Sequence, residues 1–481
     1  MTETLPQAHS PAGRPFRSLA ADRVPAPARP SAPATPAPSP AGLTASRGAA
    51  LYIGALLGPG LLLLPGLAAA QAGPASVLAW AGLIVLSGLF AAVFGSLGRA
   101  FPSAGGVIGY VRAGLGTRAS AVAGWSFLAG VITGAPVVCL IGAGYVTELT
   151  GGGRPLRALV AAALLLTVMT LAVGGLRASA TAQLLLVGLL LGVVVVAVAG
   201  SAHWSHAANW TPFAPHGWQA VGHAASTLML SFVGWEAVAP LTTRFTDPAR
   251  QLPRVIGSAL VVTSVLYLGL AVVTIGVLGS GAATSAPLAA LLRDAVGPAG
   301  TAAAAAAAVV LTLGAVNAYV TGATEMVASL TSSHPRPHAR AHARAHARTR
   351  ARAAARAGAA TAVRPAPSFL AAIAASGLAL ISLYGLGLVS PAALVTLPTT
   401  LFLVVYLGCM TSAVRVLRGP ARVAAAPAAV IVAAVLAYCG WSLLAAVAVI
   451  LAVCLAGPLA RAARPGVPGG VPGQNGERFR R

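Results

Sequence analysis

Long apolar segments alternate with short polar stretches along most of this 481-residue chain. A helix crosses the hydrocarbon of a bilayer with about 20 apolar residues, and twelve segments come close to or exceed that length. Only Gly440-Trp441 separates the last two, which favours a tight hairpin over one long helix with an interfacial piece. The segments are Gly48–Ala70, Pro74–Gly98, Ala119–Thr147, Leu156–Gly174, Ser179–Gly200, Trp218–Thr242, Val255–Gly279, Thr301–Leu330, Ser368–Leu388, Ala392–Val414, Val423–Gly440 and Trp441–Leu459. The pattern predicts an all-α polytopic membrane protein with twelve transmembrane helices.

The first apolar segment is interrupted near its middle by Gly58-Pro59-Gly60. Proline lacks the backbone donor that a helix uses, and glycine costs a helix about 1 kcal/mol relative to alanine. Unpaired backbone groups are tolerated at bilayer depth only where they line a cavity or are buried in protein. The interruption therefore indicates either an unwound binding site or a proline kink with a Gly54/Gly58 packing face.

The sixth apolar segment contains a second interruption, in which Gly234 is followed closely by the intramembrane carboxylate of Glu236. The first segment opens the first five predicted spans, and the sixth opens the next five. Broken helices at corresponding positions of two halves are typical of inverted-repeat secondary transporters. A carboxylate at this depth is costly, which favours a functional role for Glu236. The alternative is that Glu236 only hydrogen-bonds the backbone groups that the unwinding frees.

Composition and charge placement support a membrane protein. Hydrophobic residues make up 57% of the chain and charged residues 8%, and the mean hydropathy is +0.84, which excludes a soluble domain surface. With a cytoplasmic N-terminus, 28 of the 31 arginines fall on the inner side, and only Arg154, Arg157 and Arg293 fall outside. The positive-inside rule then predicts a plasma-membrane protein with both termini in the cytoplasm. Anionic lipid is the expected partner of the +23 net charge, and nucleic acid is disfavoured because no compact basic domain is present.

The chain divides into regions of different composition. Segments rich in proline, alanine, arginine or histidine have no apolar pattern that would form a packed core. The predicted regions are a disordered Pro/Ala-rich cytoplasmic tail at 1–46, a transporter domain at 47–460 (a first repeat at about 48–200, a second at about 218–414 and two extra helices at 423–459), a His/Arg-rich cytoplasmic loop at 331–367 and a cytoplasmic tail at 461–481.

The loop at 331–367 contains His338, His342 and His346 at a spacing of four, interleaved with arginines. Histidines four apart lie on one face of a helix and are able to bind zinc. The flanking arginines repel a cation, so an inert solvated expansion is expected. Contact with the lipid surface and metal binding are the alternatives.

Signatures of catalysis are absent from the sequence. The four cysteines all lie within apolar segments and have no paired spacing, so they are expected to be small core residues. No residues have the spacing of a hydrolase or of a phosphate-binding loop. We therefore expect no enzyme, no cofactor and no resident metal.

Several motifs occur together in one order along the chain. They are Ile53-Gly54 through Gly58-Pro59-Gly60 to Pro65, Phe101–Gly106 followed by Gly124-Trp125, Phe232-x-Gly234-x-Glu236, and Asp247-Pro248-x-Arg250-x-x-Pro253-Arg254. This series resembles the amino acid–polyamine–organocation superfamily of transporters over about residues 43–460. The spacing through Asn317 and Tyr319 and the Gly440-Trp441 hairpin are most similar to bacterial exporters of methionine and branched-chain amino acids. The resemblance implies a LeuT-type 5+5 inverted repeat with helices 1 and 6 broken.

Alternating access around the two breaks is the mechanism that this resemblance implies. Half-helix dipoles favour the substrate carboxylate at amides near Gly58, Gly60 and Leu61, and the substrate ammonium at carbonyls of the inner half-helices. The expected substrate-binding residues are Leu56, Leu57, Gly58, Gly60, Leu61, Leu230, Ser231, Phe232, Val233, Gly234, Asn317 and Tyr319, with Glu236 in proton coupling or gating.

The expected substrate is a neutral, apolar amino acid such as methionine or a branched-chain amino acid, because the predicted pocket offers no partner for a charged side chain. The resemblance supplies export as the favoured direction. The alternatives are an uptake permease or exchanger of other specificity, or a sensor or partner membrane protein that does not transport. Protons are the candidate coupling ion, and the sequence gives no oligomeric state.

Overall fold

The computed structural model describes residues 2, 44–58, 60–101, 106–174, 180–237, 245, 247–332 and 367–462. The segments 3–43, 333–366 and 463–481 lie outside the described residues, and with them most of the two predicted tails and of the predicted His/Arg-rich loop. Leu43–Arg481 forms one compact unit. Within the described residues this unit is helical, which confirms the predicted all-α class.

The helices follow the apolar segments closely, and we number them here in chain order. Short 3-10 turns lie between several of them. The helices are α1 Ala45–Leu56, α2 Gly60–Ala72, α3 Ser76–Ala100, α4 Gly106–Thr150, α5 Arg154–Val173, α6 Ala180–Ser201, α7 Gln219–Leu228, α8 Pro248–Leu278, α9 Pro287–Val296, α10 Pro298–Ser332, α11 Pro367–Gly385, α12 Pro391–Val416, α13 Pro420–Ala437 and α14 Leu443–Ala462.

Local sequence determines where several helices begin. The side chain of Asp247 accepts the N–H of Arg250 at 3.3 Å before α8, and the side chain of Ser390 accepts the N–H of Ala393 at 3.2 Å before α12. A proline follows each of these caps at the first helical position. Proline is favoured there because its missing N–H would have had no partner within the helix.

Nine stretches of the described residues are long and apolar enough to cross a membrane. The twelve predicted segments exceed this number because the interrupted sixth segment leaves only the short helix α7, and because the last segment counts only as a shorter apolar stretch, Gly440–Leu455. The helix pair α2 and α3 also counts as one stretch, Gly60–Ala100. Neither α9 nor the break in α4 at Gly116, where φ is 83°, was predicted from the sequence. Twelve membrane-spanning helices therefore stay a prediction.

The last two helices meet in a tight turn, as the sequence favoured. A 3-10 turn at Gly440–Ser442 separates α13 from α14, and Gly440 has a φ of 59°. Glycine adopts this left-handed conformation without the steric cost that other residues incur. The alternative of one continuous helix through this junction was therefore wrong.

Helix packing brings the two interrupted segments together. The long helix α4 packs against α12, α10 and α5. Helix α2 packs against α7, and α8 packs against both α1 and α3. The ends of α1, α2 and α7 thus meet within a frame formed by α4, α8, α10 and α12.

Candidate functional site

The two interruptions lie in direct contact. Helix α1 ends at Leu56 and α2 begins at Gly60, while the second segment changes from α-helix to 3-10 turns between Met229 and Ala237. Gly234 has a φ of 132°, and a Cβ at this position would lie 2.5 Å from the carbonyl oxygen of Ala55. Only a residue without a side chain permits this approach, so the backbone of one break rests against the backbone of the other.

Tyr406 of α12 satisfies the polar groups of the second break. Its hydroxyl accepts the N–H of Gly234 at 2.9 Å and the N–H of Trp235 at 3.0 Å, and it donates to Glu236 Oε2 at 2.5 Å. The N–H of Gly234 also lies 3.0 Å from the same carboxylate oxygen. One donor and two acceptor positions are all that a hydroxyl offers, and this hydroxyl uses each of them. Glu236 therefore takes part in holding the unwound backbone.

Two further tyrosines donate to carbonyl groups at the breaks. The hydroxyl of Tyr267 on α8 lies 2.8 Å from the carbonyl oxygen of Leu56 and 2.7 Å from that of Ser231. The hydroxyl of Tyr52 on α1 donates to the carbonyl of Trp235 at 2.9 Å. Because a hydroxyl has a single proton, Tyr267 serves one of its two carbonyls at a time. The ends of both broken helices are thus joined through one side chain.

None of these three tyrosines was predicted from the sequence as part of the site. Each of these tyrosines is almost fully buried, and its hydroxyl is a single polar group on an otherwise apolar helix face. A buried tyrosine hydroxyl generally requires a hydrogen-bond partner, so a tyrosine within an apolar segment was the available signal. Which carbonyl each one reaches depends on helix packing.

A cavity of about 310 Å³ lies beside the two breaks. It brings together six of the residues predicted from sequence: Leu57, Gly58, Val233, Gly234, Tyr319 and Glu236. The rest of its lining is apolar and consists of Gly54, Ala55, Phe127, Val131, Ala315, Ala318, Gly322 and Phe402. Glu236 is the one residue of this lining with an acidic or basic side chain, so the cavity suits a small ligand that is largely apolar.

The other predicted residues do not line this cavity. Phe232 packs instead against Trp80 and Tyr267, with ring centroids 5.8 and 5.1 Å apart. Asn317 lies two residues before Tyr319 on α10, about 200° around the helix, and so cannot share its face. The predicted roles of Phe232 and Asn317 in shaping the side-chain pocket are therefore not met in this structure. The further predicted residues outside the lining are Leu56, Gly60, Leu61, Leu230 and Ser231.

Gly60 and Ser231 lie next to each other behind the cavity, where α2 begins. A Cβ on Gly60 would lie 3.3 Å from Ser231 Oγ and 3.1 Å from Leu64 Cδ1. Ser231 Oγ is buried and has no hydrogen-bond partner among the described residues. The first amides of a helix also lack partners within the helix, and the helix dipole makes this end positive. The corner therefore combines the unpartnered Ser231 hydroxyl with a positive potential.

A second cavity of about 200 Å³ adjoins the first, between α1, α6 and α10. The two share Gly54, Ala55, Leu57, Ala315 and Ala318 as a wall. Gln183 supplies the one polar side chain of this second lining, which otherwise consists of apolar residues and glycine. Only small residues and one leucine thus separate the cavity at the breaks from a further apolar space.

Comparison with known proteins gives consistent matches. Over 263 residues the chain is 32% identical to an uncharacterized amino acid permease, YecA, of Bacillus subtilis, covering 54% of this chain and 62% of that protein. It is 34% identical over 214 residues to the L-methionine/branched-chain amino acid exporter YjeH of Escherichia coli, covering 43% of this chain and 50% of that protein. It is 27% identical over 229 residues to the branched-chain amino acid permease BcaP of Bacillus subtilis, covering 44% and 49%.

Each of these matches spans less than two thirds of the relative's own length. A family model covers far more of this chain, since the amino acid permease model matches residues 43–463. That range includes both breaks, the cavity beside them and the tyrosines that support them. The apolar helices and this match both indicate a multi-pass membrane protein. The chain belongs to the amino acid permease family.

Proposed function

We propose that this protein is a secondary active transporter that moves neutral, apolar amino acids across the plasma membrane by alternating access. The proposal assigns a LeuT-type 5+5 repeat to the twelve predicted spans, with α1 and α2 as the broken first helix and the segment from α7 through Ala237 as the broken sixth. Export is the favoured direction, and both termini are assigned to the cytoplasm. The names of the matched family and relatives describe transport rather than catalysis.

The observation that carries the proposal is the cavity between the two broken helices. Its lining is apolar apart from Glu236, the Tyr319 hydroxyl and exposed backbone, which gives no counter-charge for an acidic substrate side chain. Phe127, Val131 and Phe402 supply the apolar surface that a methionine or branched-chain side chain would bury. Such burial is worth about 1.5–3 kcal/mol per large apolar side chain, enough to select against polar amino acids.

The main-chain groups of the substrate are assigned to the broken ends. The carboxylate is placed toward the start of α2 and Ser231 Oγ, because the helix dipole and the unpartnered hydroxyl favour an anion there. The ammonium is placed at the carbonyls of Leu56 and Ser231, which the Tyr267 hydroxyl now approaches. Each carbonyl has two lone pairs and a hydroxyl can turn, so substrate and Tyr267 are able to share them.

Glu236 is assigned to proton coupling. It lines the cavity and is also hydrogen-bonded to the unwound backbone through Tyr406. Taking up or releasing a proton at this carboxylate would change how the Tyr406 hydroxyl distributes its single proton. The hydrogen bonds that hold Gly234 and Trp235 would change with it. Protonation thereby acts on the backbone that separates the substrate from one side of the membrane.

Transport is tested by counterflow with the full chain in proteoliposomes. Vesicles loaded with unlabelled leucine or methionine are expected to accumulate the labelled amino acid transiently, while vesicles loaded with arginine or glutamate are not. Ala318→Trp, which fills the wall shared by both cavities, is expected to abolish the signal. Equal counterflow for charged and apolar amino acids would contradict the proposed specificity. The absence of counterflow with every amino acid would contradict transport.

Direction is tested separately in cells. Cells loaded with methionine- or leucine-containing dipeptides release the amino acid inside, and labelled efflux is then followed. Faster efflux from expressing cells than from cells with the Ala318→Trp variant supports export. Faster uptake with unchanged efflux would assign the protein as an uptake permease instead.

A further inference from the structure

A third cavity, which is polar, lies far from the two breaks. It has a volume of about 160 Å³ and lies where the end of α4, the start of α5 and the end of α11 meet the segment before α9. We call the cavity beside the two breaks the central cavity. Thr147 of the polar lining and Val131 of the central cavity are separated by about 24 Å along α4, at 1.5 Å per residue. Its lining consists of Thr147, Glu148, Gly152, Gly153, Arg154, Arg157, Ser285 and Tyr384. This cavity is therefore separate from the site described above.

Arg157 is a buried cation in this cavity, with only 8% of its surface exposed. Its Nε donates to the carbonyl of Leu140 at 3.0 Å, and its guanidinium packs against Gly144, where a Cβ would lie 2.7 Å from Nη2. Among the described residues, no carboxylate oxygen lies within 4.0 Å of Arg157. A guanidinium has five N–H donors, and those not used by the Leu140 carbonyl and the Tyr384 side chain remain available to a ligand. Buried charges in proteins are generally paired, which makes this arrangement costly without a partner.

A second arginine reinforces the positive charge. The guanidinium carbons of Arg154 and Arg157 each lie 5.7 Å from the ring centroid of Tyr384, so one aromatic ring supports both. The start of α5 lies at the same place, with no side-chain cap on its first amides. Two guanidinium groups and a helix N-terminus therefore converge on one small polar space.

Glu148 gives the same lining a negative group. Its side chain is exposed at the mouth of the cavity and has no cation within 4.0 Å among the described residues. A simple inorganic anion would leave this carboxylate without a partner. A ligand that carries a carboxylate and an ammonium on one carbon atom would satisfy both signs of charge. The hydroxyls of Thr147 and Ser285 add hydrogen-bonding groups that do not depend on the ligand's side chain.

We propose that this cavity is a second amino acid site that binds the zwitterionic main chain, with the carboxylate at Arg154 and Arg157 and the ammonium at Glu148. The choice of an amino acid as the ligand rests on the proposed function. A volume of about 160 Å³ is well below the roughly 300–1,000 Å³ of pockets that enclose a drug-sized molecule, so the side chain of the ligand would point outward. The site would accept amino acids with little regard to their side chains.

The test measures equilibrium binding of radiolabelled L-leucine to the full chain in lipid nanodiscs. Ala318→Trp closes the central cavity, and Gly322→Phe serves as a second closed variant should the first fold poorly. Either closed variant is expected to retain binding of one leucine per chain. Adding Arg154→Gln, an exposed position, is expected to weaken this residual binding at least tenfold. Adding Arg293→Gln, which removes an exposed arginine of α9 outside the cavity lining, should leave it unchanged.

Analogues of leucine identify the groups that are recognised. Leucinamide, which lacks the carboxylate, is expected not to compete with leucine in the closed variant. N-acetyl-leucine keeps the carboxylate and loses the ammonium, so Glu148→Gln should weaken the binding of leucine but not that of N-acetyl-leucine. Replacing chloride by gluconate should leave leucine binding unchanged. Competition by chloride, or equal residual binding in the Arg154→Gln and Arg293→Gln variants, would overturn the second site.

The two proposals fail in different ways. No leucine binding in the unaltered chain would contradict the proposed function and, with it, the second site. Leucine binding that is present in the unaltered chain and absent from both closed variants would contradict the second site alone.

Discussion

At the scale of single residues, Glu236 makes the structural contacts that the sequence offered as the alternative to a functional role. The same oxygen, Oε2, accepts from the Tyr406 hydroxyl and lies 3.0 Å from the N–H of Gly234. A glutamine can supply one carbonyl oxygen for both of these contacts, whereas an alanine cannot. Glu236→Gln therefore isolates the protonation of this residue from its structural contacts.

We expect Glu236→Gln to exchange labelled amino acid across liposomes and to lose its response to an imposed pH gradient. The reason is that the amide keeps the hydrogen bonds of the break but has no proton to release in this pH range. Counterflow and gradient-driven uptake in the same vesicles make the comparison. A gradient response equal to that of the unaltered chain would remove Glu236 from coupling, and loss of both activities would leave it a purely structural role.

A second prediction at this scale concerns the contact between the two broken backbones. Gly234→Ala places a Cβ 2.5 Å from the carbonyl oxygen of Ala55 at a φ of 132°, so steric overlap and backbone strain add. Strain of this kind costs on the order of 1–3 kcal/mol. We expect lower thermal stability in detergent and loss of counterflow.

Gly257→Ala in α8 is the matched control for Gly234→Ala. Nothing lies within 4 Å of a Cβ at Gly257, and alanine is favoured over glycine in a helix by about 0.5–1 kcal/mol. Gly257→Ala should therefore be neutral or slightly stabilising. Equal stability and transport in the two variants would show that the close approach of the breaks is unimportant.

At the scale of helices, tyrosines of intact helices complete the hydrogen bonding of broken ones. Tyr267 on α8 reaches the ends of both breaks, and Tyr406 on α12 reaches the second. Apolar segments of α8 and α12 were predicted correctly, yet nothing in their pattern indicated which face meets a break. A helix that is hydrophobic on all sides has no polar face to reveal its orientation, so packing alone decides this.

We expect Tyr267→Phe to lower stability and to weaken the binding of leucine. The change leaves two buried carbonyls without their hydroxyl, and a buried acceptor without a partner costs about 1–3 kcal/mol. Thermal unfolding with and without leucine measures both effects. The comparison is Tyr110→Phe, because Tyr110 is also fully buried and its hydroxyl has no partner among the described residues. Equal destabilisation by both changes would assign the effect of Tyr267→Phe to packing rather than to its hydrogen bonds.

At the scale of the whole molecule, the His/Arg-rich loop is the largest insertion between helices that the sequence predicts. Deleting 334–364 and joining the ends with a short Gly/Ser linker is expected to leave counterflow nearly unchanged. Apart from alanine, proline and Val363, residues 334–364 have no apolar side chains with which to form a core. Surface labelling first establishes that the deleted form reaches the membrane. Loss of transport by correctly inserted protein would contradict the inert interpretation.

The sequence by itself determined the helical class, the approximate bounds of the long apolar helices and the positions of both interruptions. These follow from local causes: the free energy of placing each side chain in an apolar medium, the missing donor of proline and the weak helix propensity of glycine. Six predicted residues, including Glu236 and Tyr319, therefore line the cavity beside the breaks.

Tertiary structure alone decided which side chains meet. It turned Asn317 away from Tyr319's face, placed Phe232 among Trp80 and Tyr267, and brought Tyr406 to Glu236 across 170 residues of sequence. It also placed Arg154 and Arg157, which the sequence showed only as exceptions to the charge asymmetry, around one polar cavity. Such contacts depend on how helices that are distant in the chain are rotated and how they cross. The local sequence of a uniformly apolar helix indicates neither its rotation nor its crossing.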